Sequence, residues 1–211
     1  MSFNHLRREY AGAPFDVADA AVDPLQQFRT WFADAERAKV PEANAMTIAT
    51  VDGSGRPSAR VVLLKDLDDR GFVFFTDYRS RKARELDANP QAALVFRWHE
   101  LERQVRIVGQ VERISAAASE AYFRTRPLGS RIGAWASEQS SALRDRAALE
   151  DEVARLTAKF SDGNVPLPPH WGGYRVVPDE LEFWQGRENR LHDRVQYLRS
   201  DGAWRRARLS P

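Results

Sequence analysis

Thirteen residues, Glu182-Phe183-Trp184-Gln185-Gly186-Arg187-Glu188-Asn189-Arg190-Leu191-His192-Asp193-Arg194, put two aromatic rings, three arginines, a histidine and three carboxylates around one glycine. A core strand would not carry this charge, and a solvated helix face would not carry Phe-Trp. Arg190, His192 and Arg194 are two apart, so an extended chain would give them one face and turn Leu191 and Asp193 to the other. Two guanidiniums and an imidazole in a row suit an anionic, planar ligand, because arginine both forks onto phosphate oxygens and stacks on rings. A surface strand whose arginines pair with Glu182, Glu188 and Asp193 would have the same composition.

Other basic clusters invite the same question. Arg60-Val61-Val62-Leu63-Leu64-Lys65 is an apolar strand with a cation at each end, and a strict period of two puts those cations on opposite faces. Ser80-Arg81-Lys82-Ala83 opens a predicted helix, where free amides and the helix dipole favour an anion. Tyr122-Phe123-Arg124-Thr125-Arg126-Pro127-Leu128-Gly129-Ser130 gathers a phenol, guanidiniums and a hydroxyl at a helix end. Gln139-Ser140-Ser141 and Arg103-Gln104 offer neutral groups for a heterocycle's edge. No glycine-rich phosphate loop is present, so a bound phosphate would have to be held mainly by side chains. His5, His99 and His170 read as plain surface residues. No His/Asp/Glu set has a metal-ligand spacing, so no metal is expected.

Composition narrows the class. The chain has 211 residues, 43% hydrophobic and 29% charged, which suits one soluble domain. With no cysteine, thiol catalysis and iron–sulfur chemistry are excluded. A net charge of +2 is too balanced for a strong nucleic-acid footprint, so no nucleic acid is expected as a partner. No apolar run nears the roughly 20 residues that span a bilayer, so no membrane partner is expected. The start of the chain does not read as a signal peptide, and the expected location is cytoplasmic.

The positioning elements follow from periodicity. Residues 1–22 read as an irregular, mobile arm, and 23–211 as one domain. Asp23 caps a helix with Pro24 at its first position and an apolar stripe of Leu25, Phe28, Trp31, Phe32 and Ala35. Strands are predicted at 46–51, 57–65, 72–76, 91–98 and 103–114. Helices follow at 80–87, 116–125, around 131–137, and at 144–160. Further strands are predicted at 174–177, 181–185, 194–199 and 204–209, the last two joined at Asp201-Gly202. Short strands on tight turns predict an antiparallel barrel rather than a parallel sheet.

Taken together, these segments resemble the pyridoxamine (pyridoxine) 5′-phosphate oxidases. The resemblance rests on Arg60–Lys65, Ser80–Ala83, Arg103-Gln104-Val105, Ile132–Ser137 with Gln139-Ser140-Ser141, Trp171-Gly172-Gly173-Tyr174, and Phe183–Gly186 followed by Arg190–Arg194. It implies an α+β, mainly β fold: an antiparallel, FMN-binding split β-barrel with flanking helices. It also implies a homodimer with FMN at the subunit interface. FMN contacts are implied for Arg60, Val61, Val62, Leu63, Leu64, Lys65, Phe75, Thr76, Arg81, Lys82, Gln104, Gln139, Ser140, Trp184 and Arg194. Substrate contacts are implied for Lys65, Tyr122, Arg126, Ser130, Arg190, Leu191 and His192, with Arg190 and His192 in the catalytic role. Arg7, Arg8, Glu9 and Tyr10 match a segment that folds over the substrate. The implied reaction oxidises pyridoxamine 5′-phosphate or pyridoxine 5′-phosphate to pyridoxal 5′-phosphate, with O2 as acceptor and H2O2 released. Phenazine-pathway relatives and a non-enzymatic flavin or pyridoxal-phosphate carrier are the alternatives. Phe75 and Arg97 stand where relatives often have Tyr and Pro; Arg97 receives no functional reading.

Overall fold

The computed structural model describes residues 1, 2, 5 and 9–211, so the expectations for Arg7 and Arg8 lie outside the described residues. Helix α1 (Pro24–Arg37) starts where expected, its Asp23 carboxylate accepting from Leu25 N–H at 3.0 Å. The buried stripe of α1 includes Leu25, Phe28, Trp31 and Ala35. Phe28, 1% exposed, meets the rings of Phe72 and Phe96 at 4.9 Å each. This is the main core, under the inner face of the sheet.

The strands are β1 (Ala45–Val51), β2 (Pro57–Leu63), β3 (Asp66–Leu67), β4 (Phe72–Asp77), β5 (Gln91–Trp98), β6 (Arg103–Arg113), β7 (Trp171–Gln185), β8 (Asp193–Ser200) and β9 (Ala203–Arg208). Among the described residues they form one antiparallel sheet, ordered β2-β1-β5-β6-β7-β4-β3, with β8 on β7 and β9 on β8. It is a curled half-barrel with five helices, the split-barrel architecture expected. The branch is β7, which pairs with β6 along most of its length, with β4 over Trp171–Val176 and with β8 over Glu180–Gln185.

Two strand expectations need correction. The segments predicted at 174–177 and 181–185 are one strand. Pro178 lacks an N–H and looks like a break, but the β6 register shifts between Val108 and Gly109 opposite it. A Cβ on Gly109 would lie 2.1 Å from the Val177 carbonyl oxygen, so the bulge needs glycine there. The strand predicted to run to Lys65 ends at Leu63: Leu64 N–H donates to Asn44 O and Lys65 N–H to Val73 O. The chain thus passes from β1 to β4 at this point, and the period-two alternation restarts.

Helices α2 (Arg81–Ala88), α3 (Ala116–Thr125), α4 (Leu128–Ala136) and α5 (Arg146–Lys159) complete the fold. A second core, Phe123, Ile132, Leu156, Phe160, Val165 and Trp171, lies beneath α3–α5. Residues 9–22 lack strands and helices, as expected, yet Phe15 and Ala20 are buried in the main core, so this part of the segment is anchored.

Candidate functional site

Between the two cores lies a cavity of about 520 Å³, bounded by β2, β4, α2 and the α3–α4 junction. Among the described residues, four cations line it, Arg60, Lys65, Lys82 and Arg126, and one carboxylate, Asp77. Asp77 is already engaged by Arg79, whose Nη2 lies 2.7 Å away. Restarting the alternation at Leu64 lets Arg60 and Lys65 reach one cavity although strict alternation separates them. Val61, Val62 and Leu63 line the same wall, whereas Leu64 turns into the core.

Lys82 is buried, and its Nζ donates to Thr76 Oγ1 and Gln139 Oε1, both at 2.9 Å. Burial, then the nearby Arg60, lowers its pKa to about 8. On the opposite side the Phe75 ring stacks on Tyr122 at 3.9 Å and on Trp171 at 5.3 Å. The Arg126 guanidinium sits 4.7 Å over Trp171, and its buried Nη1 has no hydrogen-bond partner. Burial lowers the Arg126 pKa. A buried guanidinium N–H without an acceptor is costly, and an anion would complete it. Ser130 in the first turn of α4 lines the same space. Clustered cations, one of them with a buried N–H lacking an acceptor, beside stacked aromatics fit a planar phosphate-bearing molecule, as FMN and a pyridine phosphate both are.

The second group stands elsewhere. Gln104, Trp184 and Arg194 are register partners across β6, β7 and β8, so they share a sheet face. Arg194 is held by the buried Glu182, with Nε at 2.8 Å and Nη2 at 3.0 Å from its oxygens. The extended row predicted for Arg190, His192 and Arg194 is not formed. Glu188–Arg190 is a 3₁₀ turn in which Asn189 has φ 55° and Arg190 φ 62°. Consecutive left-handed residues without glycine are strained and persist only where their surroundings enforce them.

The turn exposes Arg190 and Leu191 and swings His192 back, so that its Nδ1 accepts from Arg187 N–H at 3.1 Å. Burial, then the Arg190 charge, lowers the His192 pKa, leaving a neutral ring whose proton sits on Nε2. Tyr10 packs edge-on against Trp184 at 5.6 Å and His192 at 5.5 Å. The segment after it is tied down by Ala11 N–H to Glu102 at 2.8 Å and Phe15 N–H to Asp193 at 3.1 Å. Glu9 is exposed.

The predicted residues therefore fall into two groups. Gln104, Trp184, Arg190, Leu191, His192 and Arg194 do not line the cavity that Arg60, Lys65, Phe75, Thr76, Lys82, Tyr122, Arg126, Ser130 and Gln139 share. Arg81 and Ser140 stand at its edge: Ser140, with φ 74°, accepts from Arg81 N–H at 3.1 Å. His170 is not a plain surface residue; it is half-buried, its Nε2 3.2 Å from Ala134 O and 4.0 Å from Asp77. Sequence reasoning passed over Glu85, which binds Arg60 and Arg81 from below. The signal was its place one helical turn after Arg81.

A family model described as "Pyridoxamine 5'-phosphate oxidase" matches residues 32–160. A second, described as "Pyridoxine 5'-phosphate oxidase C-terminal dimerisation region", matches residues 171–211. A Ralstonia nicotianae protein named pyridoxine/pyridoxamine 5'-phosphate oxidase 1 is 59% identical over 211 residues, covering 100% of this chain and 99% of that protein. A Thermosynechococcus vestitus pyridoxine/pyridoxamine 5'-phosphate oxidase is 62% identical over 206 residues, covering 98% and 97%. Among solved structures, Burkholderia lata PhzG in complex with tetrahydrophenazine-1-carboxylic acid superposes with a TM-score of 0.91 at 34% identity, covering 95% of this chain and 99% of that one. The fold is also that of a pyridoxamine 5'-phosphate oxidase-related, FMN binding protein from Nostoc punctiforme, with a TM-score of 0.71, 19% identity and coverage of 90% and 100%. Near-complete coverage at such identity extends from the cavity to the C-terminal strands, and the chain belongs to the pyridoxamine 5'-phosphate oxidase family.

Proposed function

We propose that this chain is an FMN-dependent oxidase, acting in the cytoplasm, that converts pyridoxamine 5′-phosphate and pyridoxine 5′-phosphate to pyridoxal 5′-phosphate, with O2 as acceptor and H2O2 released. The observation that carries the reading is the cavity itself: four cations, a stacked aromatic wall, and a buried Arg126 N–H with no acceptor. When bound, FMN supplies the redox chemistry, and the protein's part is binding, orientation and electrostatics. Arg60, Val61, Val62, Leu63, Lys65, Phe75, Thr76, Arg81, Lys82, Gln139 and Ser140 form the flavin side. Lys65, Tyr122, Arg126 and Ser130 hold the substrate phosphate.

The remaining residues come from a second copy. In a homodimer, Gln104, Trp184 and Arg194 of one subunit close over the flavin of the other, and Arg190, Leu191 and His192 reach its substrate. Support comes from the dimerisation region, residues 171–211, which includes Trp184 through Arg194, and from the exposed Val61, 65% accessible beside the cavity. The segment through Glu9 and Tyr10 acts as the lid, and residues 23–211 as the body.

A phenazine-type substrate is the second reading, because PhzG shares the fold at 34% identity. Lys65, Tyr122, Arg126 and Ser130 together favour the phosphorylated pyridine. Anaerobic mixing of the FMN-loaded protein with pyridoxine 5′-phosphate decides the matter. The flavin absorbance should bleach, and on admitting oxygen one peroxide should appear per aldehyde. Binding without bleaching would make the protein a carrier.

Lys82 makes the cofactor affinity pH-dependent. Its folded pKa of about 8 lies below the ordinary 10.5. Between those values the unfolded chain holds the proton and the folded one does not, so this group's contribution to stability rises with pH across the window. Phosphate binding needs the charged amine and goes the other way. FMN affinity should fall as pH rises through about 8, and Lys82→Met should flatten that part of the profile. Titrations of flavin fluorescence from neutral to alkaline pH check it.

A further inference from the structure

Glu85 lies on α2 one turn after Arg81 and is 4% exposed. One carboxylate oxygen accepts from Arg81 Nε at 2.7 Å. The other accepts from Ser58 Oγ at 2.6 Å, from Arg60 Nη2 at 3.3 Å and from Thr50 Oγ1. Burial alone would raise this acid, but the bonds from Ser58, Thr50, Arg81 and Arg60 outweigh it and bring the pKa to about 2. Arg60 also donates through Nη1 to Thr50 Oγ1 at 2.6 Å and Ile48 O at 3.4 Å. Among the described residues, the Arg60 Nε–H and the two terminal nitrogens of Arg81 keep no hydrogen-bond partner.

We propose that Glu85 is a positioning residue for the phosphate end of the flavin: from beneath, it bridges Arg60 and Arg81 and aims their unused N–H groups at one anion. The proposal rests on the flavin reading above. Two guanidiniums brought together without a carboxylate between them repel, and their long side chains would turn to solvent. Glutamine cannot replace Glu85, because its amide would set a donor against the donors of Arg81 or of Ser58, Thr50 and Arg60.

The test compares FMN with riboflavin, which has the same ring and no phosphate, by equilibrium titration of flavin fluorescence. Glu85→Gln should weaken FMN at least ~10-fold while leaving riboflavin within about twofold, since only the phosphate contacts are disturbed. Unchanged or tighter FMN binding overturns the proposal, as does an equal loss for both flavins. Should Glu85→Gln not fold, Ser58→Ala loosens only the Arg60 side and should give a smaller loss, still confined to FMN. No loss, or a loss shared with riboflavin, again overturns it. Wild-type protein that binds neither flavin overturns the flavin reading, and this proposal with it.

Discussion

Arg126→Ala should lower kcat/KM for pyridoxine 5′-phosphate by roughly 10²–10³-fold, chiefly through KM. Arg126 is half-buried, stacked 4.7 Å over Trp171, and keeps a buried N–H without an acceptor. Its environment already bears the cost of desolvating the cation, so a phosphate arriving there gains charge-assisted bonds at little further cost. Each such bond is worth about 1.5–3 kcal/mol, and two of them at the lower end of that range, about 3–4 kcal/mol together, account for the predicted loss. Contacts made equally in the ground and transition states appear in KM rather than kcat. Arg126→Lys should not restore activity, because an ammonium can neither fork onto two oxygens nor stack on the indole. Steady-state assays with pyridoxine and its 5′-phosphate should show the preference for the phosphorylated form shrinking by the same factor. A preference left intact would move the phosphate site away from Arg126.

His192→Ala and Arg190→Asn should each cost roughly 10–100-fold in kcat/KM, in line with losing one charge-assisted or buried hydrogen bond. The neutral His192 ring, anchored through Nδ1 by Arg187 N–H at 3.1 Å, has Nε2–H left for a substrate oxygen or nitrogen. Arg190 is held at φ 62° directly after Asn189 at φ 55°. Asparagine tolerates that conformation, so Arg190→Asn removes the cation without adding backbone strain. FMN content should stay normal in both variants, because neither residue is assigned to the flavin. Loss of FMN together with activity would reassign them. A normal kcat/KM in both would remove them from the substrate site.

How much of this was legible depends on how local each determinant is. The α1 cap and stripe, and the Asp201-Gly202 turn with φ 54° and 80°, are written in adjacent residues and could be read directly. Long-range compensation was hidden. Pro178 reads as a break until Gly109, far away in sequence, absorbs it with a bulge. Lys65 looked out of phase with Arg60 because nothing local announces that the chain changes partners at Leu64. The turn at Glu188–Arg190 depends on Arg190 following Asn189 into a left-handed conformation that arginine does not favour, so the extended face drawn through Arg190, His192 and Arg194 failed. The residue types of the site were visible, but not their division. That division follows from the register joining Gln104, Trp184 and Arg194, and only the folded sheet reveals it.

In the proposed homodimer one active site is assembled from two chains, Arg126 of one subunit facing His192 of the other. Subunit exchange between Arg126→Ala and His192→Ala homodimers tests it most directly. In a mixed dimer, one site would carry both substitutions and the other neither. With half the dimers mixed, activity should return to about a quarter of wild type. If mixed dimers form, verified by differently tagged chains, and activity stays at the level of the two parents, both residues serve a site within one chain and the account is wrong.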